Sequence, residues 1–181
     1  MRLGRTFLAL LVTHAARSVL LADDTDTEIA APLRAWEFIV IHHSATSVGS
    51  AEMFDAAHRA RGMVNGLAYD FVIDNGSERL PDGFIETSER WVKQIPGGHC
   101  RQANINEHGI GICLVGDFTK GPPTEKQLAA LALLIRGLQE QFKIADENIM
   151  GHGEMIGEFS KCPGDEFPWE DLHKLLKAKT P

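Results

Sequence analysis

The chain has 181 residues, 44% of them hydrophobic and 24% charged, which supplies one well-buried domain and leaves little for a second. Its net charge of −7, with no Lys/Arg cluster to offset it, argues against a nucleic-acid partner. The cysteines are Cys100, Cys113 and Cys162; Cys113 reads as a small buried thiol in an apolar run and Cys100 as unpaired, so no disulfide framework is expected.

Residues 1–34 read as a signal-like, flexible leader. Arg2 and Arg5 precede the apolar run Phe7–Val12, as in a secretory signal, although Arg17 interrupts it and cleavage could fall after Ala15 or Ala22. Residues 23–30 are acidic. A secreted or periplasmic protein is expected; the alternative is a cytoplasmic one with a frayed N-terminal extension. No stretch approaches the roughly 20 apolar residues that span a bilayer.

Trp36–His42 is β-branched and aromatic, which predicts a buried strand that delivers His42 and His43 at its C-terminal end. Successive strand side chains point to opposite faces, so at most one of the two histidines meets a common site. Ser50 caps a helix that runs to about Arg61 and stops at Gly62, with Met53, Phe54 and Ala57 as its inner stripe. His58 on this helix reads as packing or capping. Ala68–Asp74 alternates as a half-buried strand, and Asn75-Gly76 marks a turn. Residues 77–98 read as loops around a short strand at Phe84–Glu86. Gly109–Gly116 is apolar on both faces, as in a central strand. Thr124 and Gln127 form a capping box for a long helix whose Leu128, Leu131, Ile135, Leu138 and Phe142 share one face. A last helix begins at Pro168 and turns Leu172, Leu175 and Leu176 inward. His14, His108 and His173 have no partner pattern and read as solvated. Interleaved strands and helices predict one α/β domain over residues 35–179, a central mixed sheet flanked by helices.

The chemistry concentrates in a Gly-rich segment near the C-terminal end. His152 and Cys162 stand ten positions apart there, and mixed nitrogen and sulfur ligands are what zinc takes in a tetrahedral site. The His42-His43 pair is the best source of a third ligand. Three protein ligands and one open position describe a catalytic rather than a structural zinc, here in a surface cleft. His99-Cys100 would instead pair a thiol nucleophile with an imidazole base, but neighbouring side chains on extended chain point apart.

Five pieces in order carry a family resemblance: Ile41-His42-His43-Ser44-Ala45-Thr46, Ala68-Tyr69-Asp70-Phe71-Val72-Ile73, Gly97-Gly98-His99, Ile110-Gly111-Ile112 with Leu114-Val115-Gly116, and Gly151-His152-Gly153-Glu154 with Cys162-Pro163-Gly164. Together they resemble the zinc-dependent N-acetylmuramoyl-L-alanine amidases related to the lysozyme of phage T7 and to peptidoglycan recognition proteins. The likeness covers nearly everything past the leader. It implies one zinc ion held by His42, His152 and Cys162, and hydrolysis of the amide between the lactyl group of N-acetylmuramic acid and L-alanine. The implied partner is peptidoglycan or its muramyl-peptide fragments, and a monomer is expected. Tyr69 matches the family tyrosine that faces the developing oxyanion, and His99 a cleft histidine near the substrate. The linker from Gly153 to Lys161, nine residues, is longer than is common in the family, which predicts a longer loop and the same ligands. Ser160 stands where the family often has a Lys or Thr that assists catalysis, with Lys161 beside it, so either can take that role. Trp91 lines the glycan groove or packs in the core. Glu154 is a substrate-side proton carrier or orients the loop. Two rivals remain, a binding module without catalysis and a zinc hydrolase of another amide.

Overall fold

The structure, a computed structural model, describes residues 31–178. The leader's apolar and acidic segments, its cleavage point, His14 and the expected domain end at residue 179 lie outside the described residues. In chain order the elements are β1 (Phe38–His43), α1 (Ala51–Ala60), β2 (Phe71–Ile73), β3 (Ile85–Thr87), α2 (Glu89–Val92), α3 (Ala103–His108), β4 (Gly109–Leu114), α4 (Glu125–Phe142), β5 (Ile149–Gly151) and α5 (Trp169–Lys177). Short 3-10 turns at Asp146–Asn148 and His152–Glu154 flank β5. The five strands form one mixed sheet in the order β3-β2-β4-β1-β5. β1 runs parallel to β4 and β5, β2 is parallel to β4, and only β3 is antiparallel to its neighbour.

Two-residue alternation sorts the sheet into two faces. Ile39 and Ile41 of β1, Ile110, Ile112 and Leu114 of β4, and Phe71 and Ile73 of β2 join one large core with Leu131, Ile135 and Leu138 of α4 and Leu172 of α5. Each fully buried aliphatic side chain of this kind stabilises the fold by ~1.5–3 kcal/mol relative to exposure. Val40, Val72, Cys113 and Val115 point to the other face, where Phe54 of α1 and Ile105 of α3 pack. The sheet is therefore flanked by helices on both sides, as expected. The capping box of α4 is formed, with Thr124 Oγ1 accepting from Gln127 N at 3.0 Å and Gln127 Oε1 accepting from Thr124 N at 3.2 Å.

Several boundaries and faces differ from expectation. α1 has its Ser50 cap, 3.3 Å from Met53 N, but Met53 is 47% exposed, and of the expected stripe only Phe54 packs on the core, joined by Ala51. The helix lies on the surface and none of its residues is fully buried, so its apolar stripe is narrower than the sequence pattern implied. α2 and α3 were not expected; at four and six residues they are too short to display a helical period. The strand expected over 68–74 pairs only at Phe71–Ile73.

Candidate metal centre

β1 is the strand that carries the site. His42 follows Val40 onto the face opposite α4 and α5, and is 2% exposed at the strand's end. β5, its parallel neighbour, leads directly into His152, so that the two imidazole rings lie 4.7 Å apart between centroids. The loop after His152 returns along the same edge. Gly153 N donates to Cys162 O at 2.6 Å, and Cys162 N donates to Ser160 Oγ at 3.1 Å, which brings Cys162 Sγ to 3.7 Å from His42 Nδ1. His43 turns away, its Nδ1 accepting from Phe118 N at 3.0 Å, while its backbone N–H donates to Cys162 Sγ at 3.3 Å. Alternation had separated the pair in this way.

Three sets of donors, each with its ligand atoms within 4.8 Å of one another, occur among the described residues: His42–His152–Cys162, His42–His99–Cys100 and Cys100–His152–Glu158. Zinc bonds of ~2.3 Å to sulfur and ~2.0–2.1 Å to nitrogen in a tetrahedron put S and N about 3.6 Å apart. The 3.7 Å from Cys162 Sγ to His42 Nδ1 fits that spacing. The 3.0 Å from Cys100 Sγ to His99 Nδ1 and the 3.1 Å from His42 Nε2 to His99 Nδ1 are hydrogen-bond distances instead. In the third set His152 Nε2 and Glu158 Oε2 are likewise at a hydrogen-bonding 3.0 Å, so by these spacings the first set has the better geometry for a cation.

The electrostatics agree with a donor set that waits for positive charge. Burial, then the neighbouring His99, His152 and His43 rings, holds the His42 imidazole well below its usual pKa, so it is a neutral ligand. Burial pushes the Cys162 thiol up to about 12, with the His43 N–H bond opposing it. A cation in front of Sγ reverses that balance and releases the proton. His99 donates from Nε2 to Gly109 O at 3.3 Å, and burial brings its pKa down to about 4. Its Nδ1 is then an acceptor for His42 Nε2–H, which leaves His42 Nδ1 as a lone pair directed at the Cys162 side.

Residues 32–165 match the family described as N-acetylmuramoyl-L-alanine amidase. The chain belongs to that family. It is an enzyme of the amidase class, and solved amidases share its fold. LysC, an N-acetylmuramoyl-L-alanine amidase of Clostridium intestinale, is 27% identical with a TM-score of 0.68 over 87% of this chain and 96% of that one. A Drosophila PGRP-LB tyrosine-to-phenylalanine variant in complex with tracheal cytotoxin is 23% identical, TM-score 0.57, over 77% and 82% of the two chains. Bumblebee PGRP-SA is 19% identical, TM-score 0.62, over 88% and 94%. The last two speak for the fold alone. No curated protein matches the chain by sequence.

Around the candidate ligands the amidase brings together some of the remaining expected residues and separates others. Tyr69 lies with its ring 5.0 Å from that of His42, and burial, reinforced by Cys113 and Cys162, holds its phenol well above the usual range and therefore protonated. His99 sits behind His42, 7% exposed, with both ring nitrogens engaged, rather than on an open cleft wall. Ser160 is tied to the Cys162 backbone, whereas Lys161 points to solvent and pairs with Asp165 at 2.7 Å. Glu154 Oε2 accepts from Gly151 N at 2.7 Å, which orients the turn before the loop. Trp91 is in the core, 6% exposed and packed among Trp36, Phe71 and Phe142, so of its two readings packing is the one seen. His58 Nδ1 accepts from Ala68 N at 3.1 Å, a packing contact that ties α1 to the segment before β2.

Two features were not foreseen. Cys100 and His99 do touch, because the chain bends there instead of running extended; yet burial, then Glu158 and Cys162, pushes the Cys100 thiol up to about 12, far from a ready nucleophile. Glu158 was not singled out at all. Its side chain is 2% exposed, and it stands 3.0 Å from His152 Nε2. An acidic residue in an aperiodic loop gives no sequence signal of burial.

Proposed function

We propose that this amidase is zinc-dependent and cleaves the amide between the lactyl group of N-acetylmuramic acid and L-alanine in peptidoglycan or its fragments. The convergence of His42, His152 and Cys162, from strand ends and a loop far apart in sequence, carries the reading. These three residues would hold one zinc and leave a fourth position open to the cleft. A zinc ion in such a site supplies a nucleophile at neutral pH from water and polarises the scissile carbonyl.

The chain's own groups do the rest. Tyr69 keeps its proton because its hydroxyl is desolvated, so it is a donor to the oxygen on which charge develops. It is also the candidate to pass a proton to the leaving amine, since His99 is screened behind His42 and Glu154 is held by Gly151. Ser160 accepts from Cys162 N and retains its own O–H to donate, which favours it over Lys161 as the assisting group; the lysine would have to leave Asp165. The neutral His42 and the cysteinate from Cys162 keep the centre's net charge low, which makes these neutral donors useful. No helix among the described residues is long and apolar enough to cross a membrane. A secreted or periplasmic enzyme that meets its wall substrate outside the cytoplasm, acting as a monomer, is the reading in keeping with the leader.

The test is mass spectrometry of muramyl-peptides incubated with zinc-loaded protein beside a chelated control. Free stem peptide beginning at L-alanine, lost on chelation, is the expected result. Release that persists after complete metal removal would end the zinc reading. Intact substrate in both samples would end the assignment of the bond.

A further inference from the structure

The geometry points to Glu158 as a positioning residue that fixes the tautomer of His152, so that Nε2 carries the proton and Nδ1 is presented to the metal. This inference rests on the proposed zinc site and adds a residue to it that touches neither metal nor substrate.

The argument is one of donors and acceptors. Glu158 Oε1 accepts the backbone N–H of Arg101, and Glu158 Oε2 lies 3.0 Å from His152 Nε2. An ionised carboxylate is acceptor-only, so the shared proton in the second contact belongs to the imidazole. A neutral imidazole protonated on Nε2 has its lone pair on Nδ1. The same logic operates on the other histidine, whose Nε2 is engaged by His99 while Nδ1 faces Cys162. Both imidazoles are thus anchored through Nε2, which leaves the lone pair on Nδ1, although their anchors come from different loops and have different chemistry. Metal-binding histidines are oriented in this way by a carboxylate or carbonyl on the far nitrogen.

Burial makes the arrangement specific. The Glu158 side chain is 2% exposed, and a buried carboxylate persists only where it is paired. Its partners are the Arg101 N–H, His152 and, at 3.9 Å, the Arg101 Nε, whose guanidinium is 73% exposed. Asp or Glu at either neighbouring position would not serve, because Gly157 and Phe159 stand on the exposed side of the loop.

Substitution by glutamine discriminates sharply. Glu158→Gln keeps shape and replaces two acceptors with one acceptor and one donor. If the amide oxygen remains on the Arg101 N–H, the amide NH2 faces His152 Nε2 and moves the ring proton to Nδ1, where the metal should bind. Glu158→Ala removes the preference altogether.

The experiment has two readouts on wild type, E158Q and E158A. The first is the tautomer of His152 in the metal-free protein, read from imidazole nitrogen shifts by long-range proton–nitrogen NMR, with H152Q to assign the signals. The second is zinc affinity by competition with a chromophoric chelator. The expected result is the Nε2–H form in wild type, a shift toward Nδ1–H in E158Q, and a 10–100-fold loss of zinc affinity in both variants. Wild-type His152 in the Nδ1–H form would overturn the proposal, as would variants with unchanged tautomer and affinity. Two zinc ions per wild-type chain, one of them lost in E158Q, would also overturn it by making Glu158 a ligand in its own right. A wild-type protein that binds no zinc would remove the proposed metal centre, while the NMR readout would still decide the tautomer.

Discussion

At the residue scale, the two adjacent histidines have opposite fates. His42→Ala should abolish zinc retention, measured as metal content after gel filtration. His43→Ala should keep the metal and instead lower stability by ~1–3 kcal/mol in urea unfolding, because the Phe118 N–H that His43 accepts is left unsatisfied in the core. The reverse pattern would show that the cation sits on the Phe118 side of the sheet. Tyr69→Phe removes one hydroxyl from the ring beside His42. It should retain zinc and lose on the order of 10²–10³-fold in kcat, the usual effect of deleting one oxyanion donor. A fully active Tyr69→Phe protein would leave the tyrosine as packing against His42.

Among the elements, the loop between β5 and Cys162 is the part most sensitive to a single atom. A Cβ added at Gly153 would meet Ser160 O at 2.2 Å and Cys162 O at 3.0 Å, both of them backbone atoms that cannot swing aside. Gly153→Ala should therefore push Cys162 away from His42 and weaken zinc binding at least tenfold, with little change in the unfolding midpoint of the metal-free protein. Unaltered zinc affinity would mean that the loop tolerates a different path. This loop also marks the boundary of what the sequence conveys. β1 and the separation of His42 from His43 follow from a period of two, and α4 from its cap and its period of 3.6, so both were legible residue by residue. Residue chemistry pointed to His152, Cys162 and the His42-His43 pair, and the resemblance added Tyr69, none of which periodicity can supply. The burial of Glu158 and of Trp91 depends on contacts between segments tens of residues apart, and the bend at His99 and Cys100 on the side chain of Asn106, so no hydrophobic period encodes them. α2, four residues long, buries Trp91 without ever completing a repeat.

For the molecule as a whole, two buried carboxyls set a pH dependence. Burial raises Asp70 to about 7 against the opposing Gly111 N–H and Arg90, and burial together with Glu86 raises Asp74 to about 7. Among the described residues, Asp70 Oδ1 and both Asp74 carboxyl oxygens have no hydrogen-bond donor. An unfolded aspartate titrates near 3.9, so between about pH 4 and 7 the folded chain binds more protons than the unfolded one. The stability these groups contribute is full at the acid end and is lost as pH rises through 7. Asp70→Asn should raise the metal-free protein's stability by ~1–2 kcal/mol at pH 8 and by less at pH 5, in urea unfolding at both values. A gain equal at the two pH values would assign the effect to something other than ionisation.

The separation of the ligands along the chain bears on the order of events in time. His42 and Cys162 are 120 residues apart, and β1 cannot be in place until β4 and β5 have reached it from far downstream. Parallel pairing over such distances is slow, because chain closure is paid before any contact is gained. The metal centre is then among the last things to form. Zinc added to refolding chains should leave the refolding rate unchanged and slow unfolding instead, since its bonds are absent from the barrier. Stopped-flow fluorescence of the Trp36 and Trp91 pair follows both arms, and faster refolding in zinc would place the ligands together before the sheet is complete.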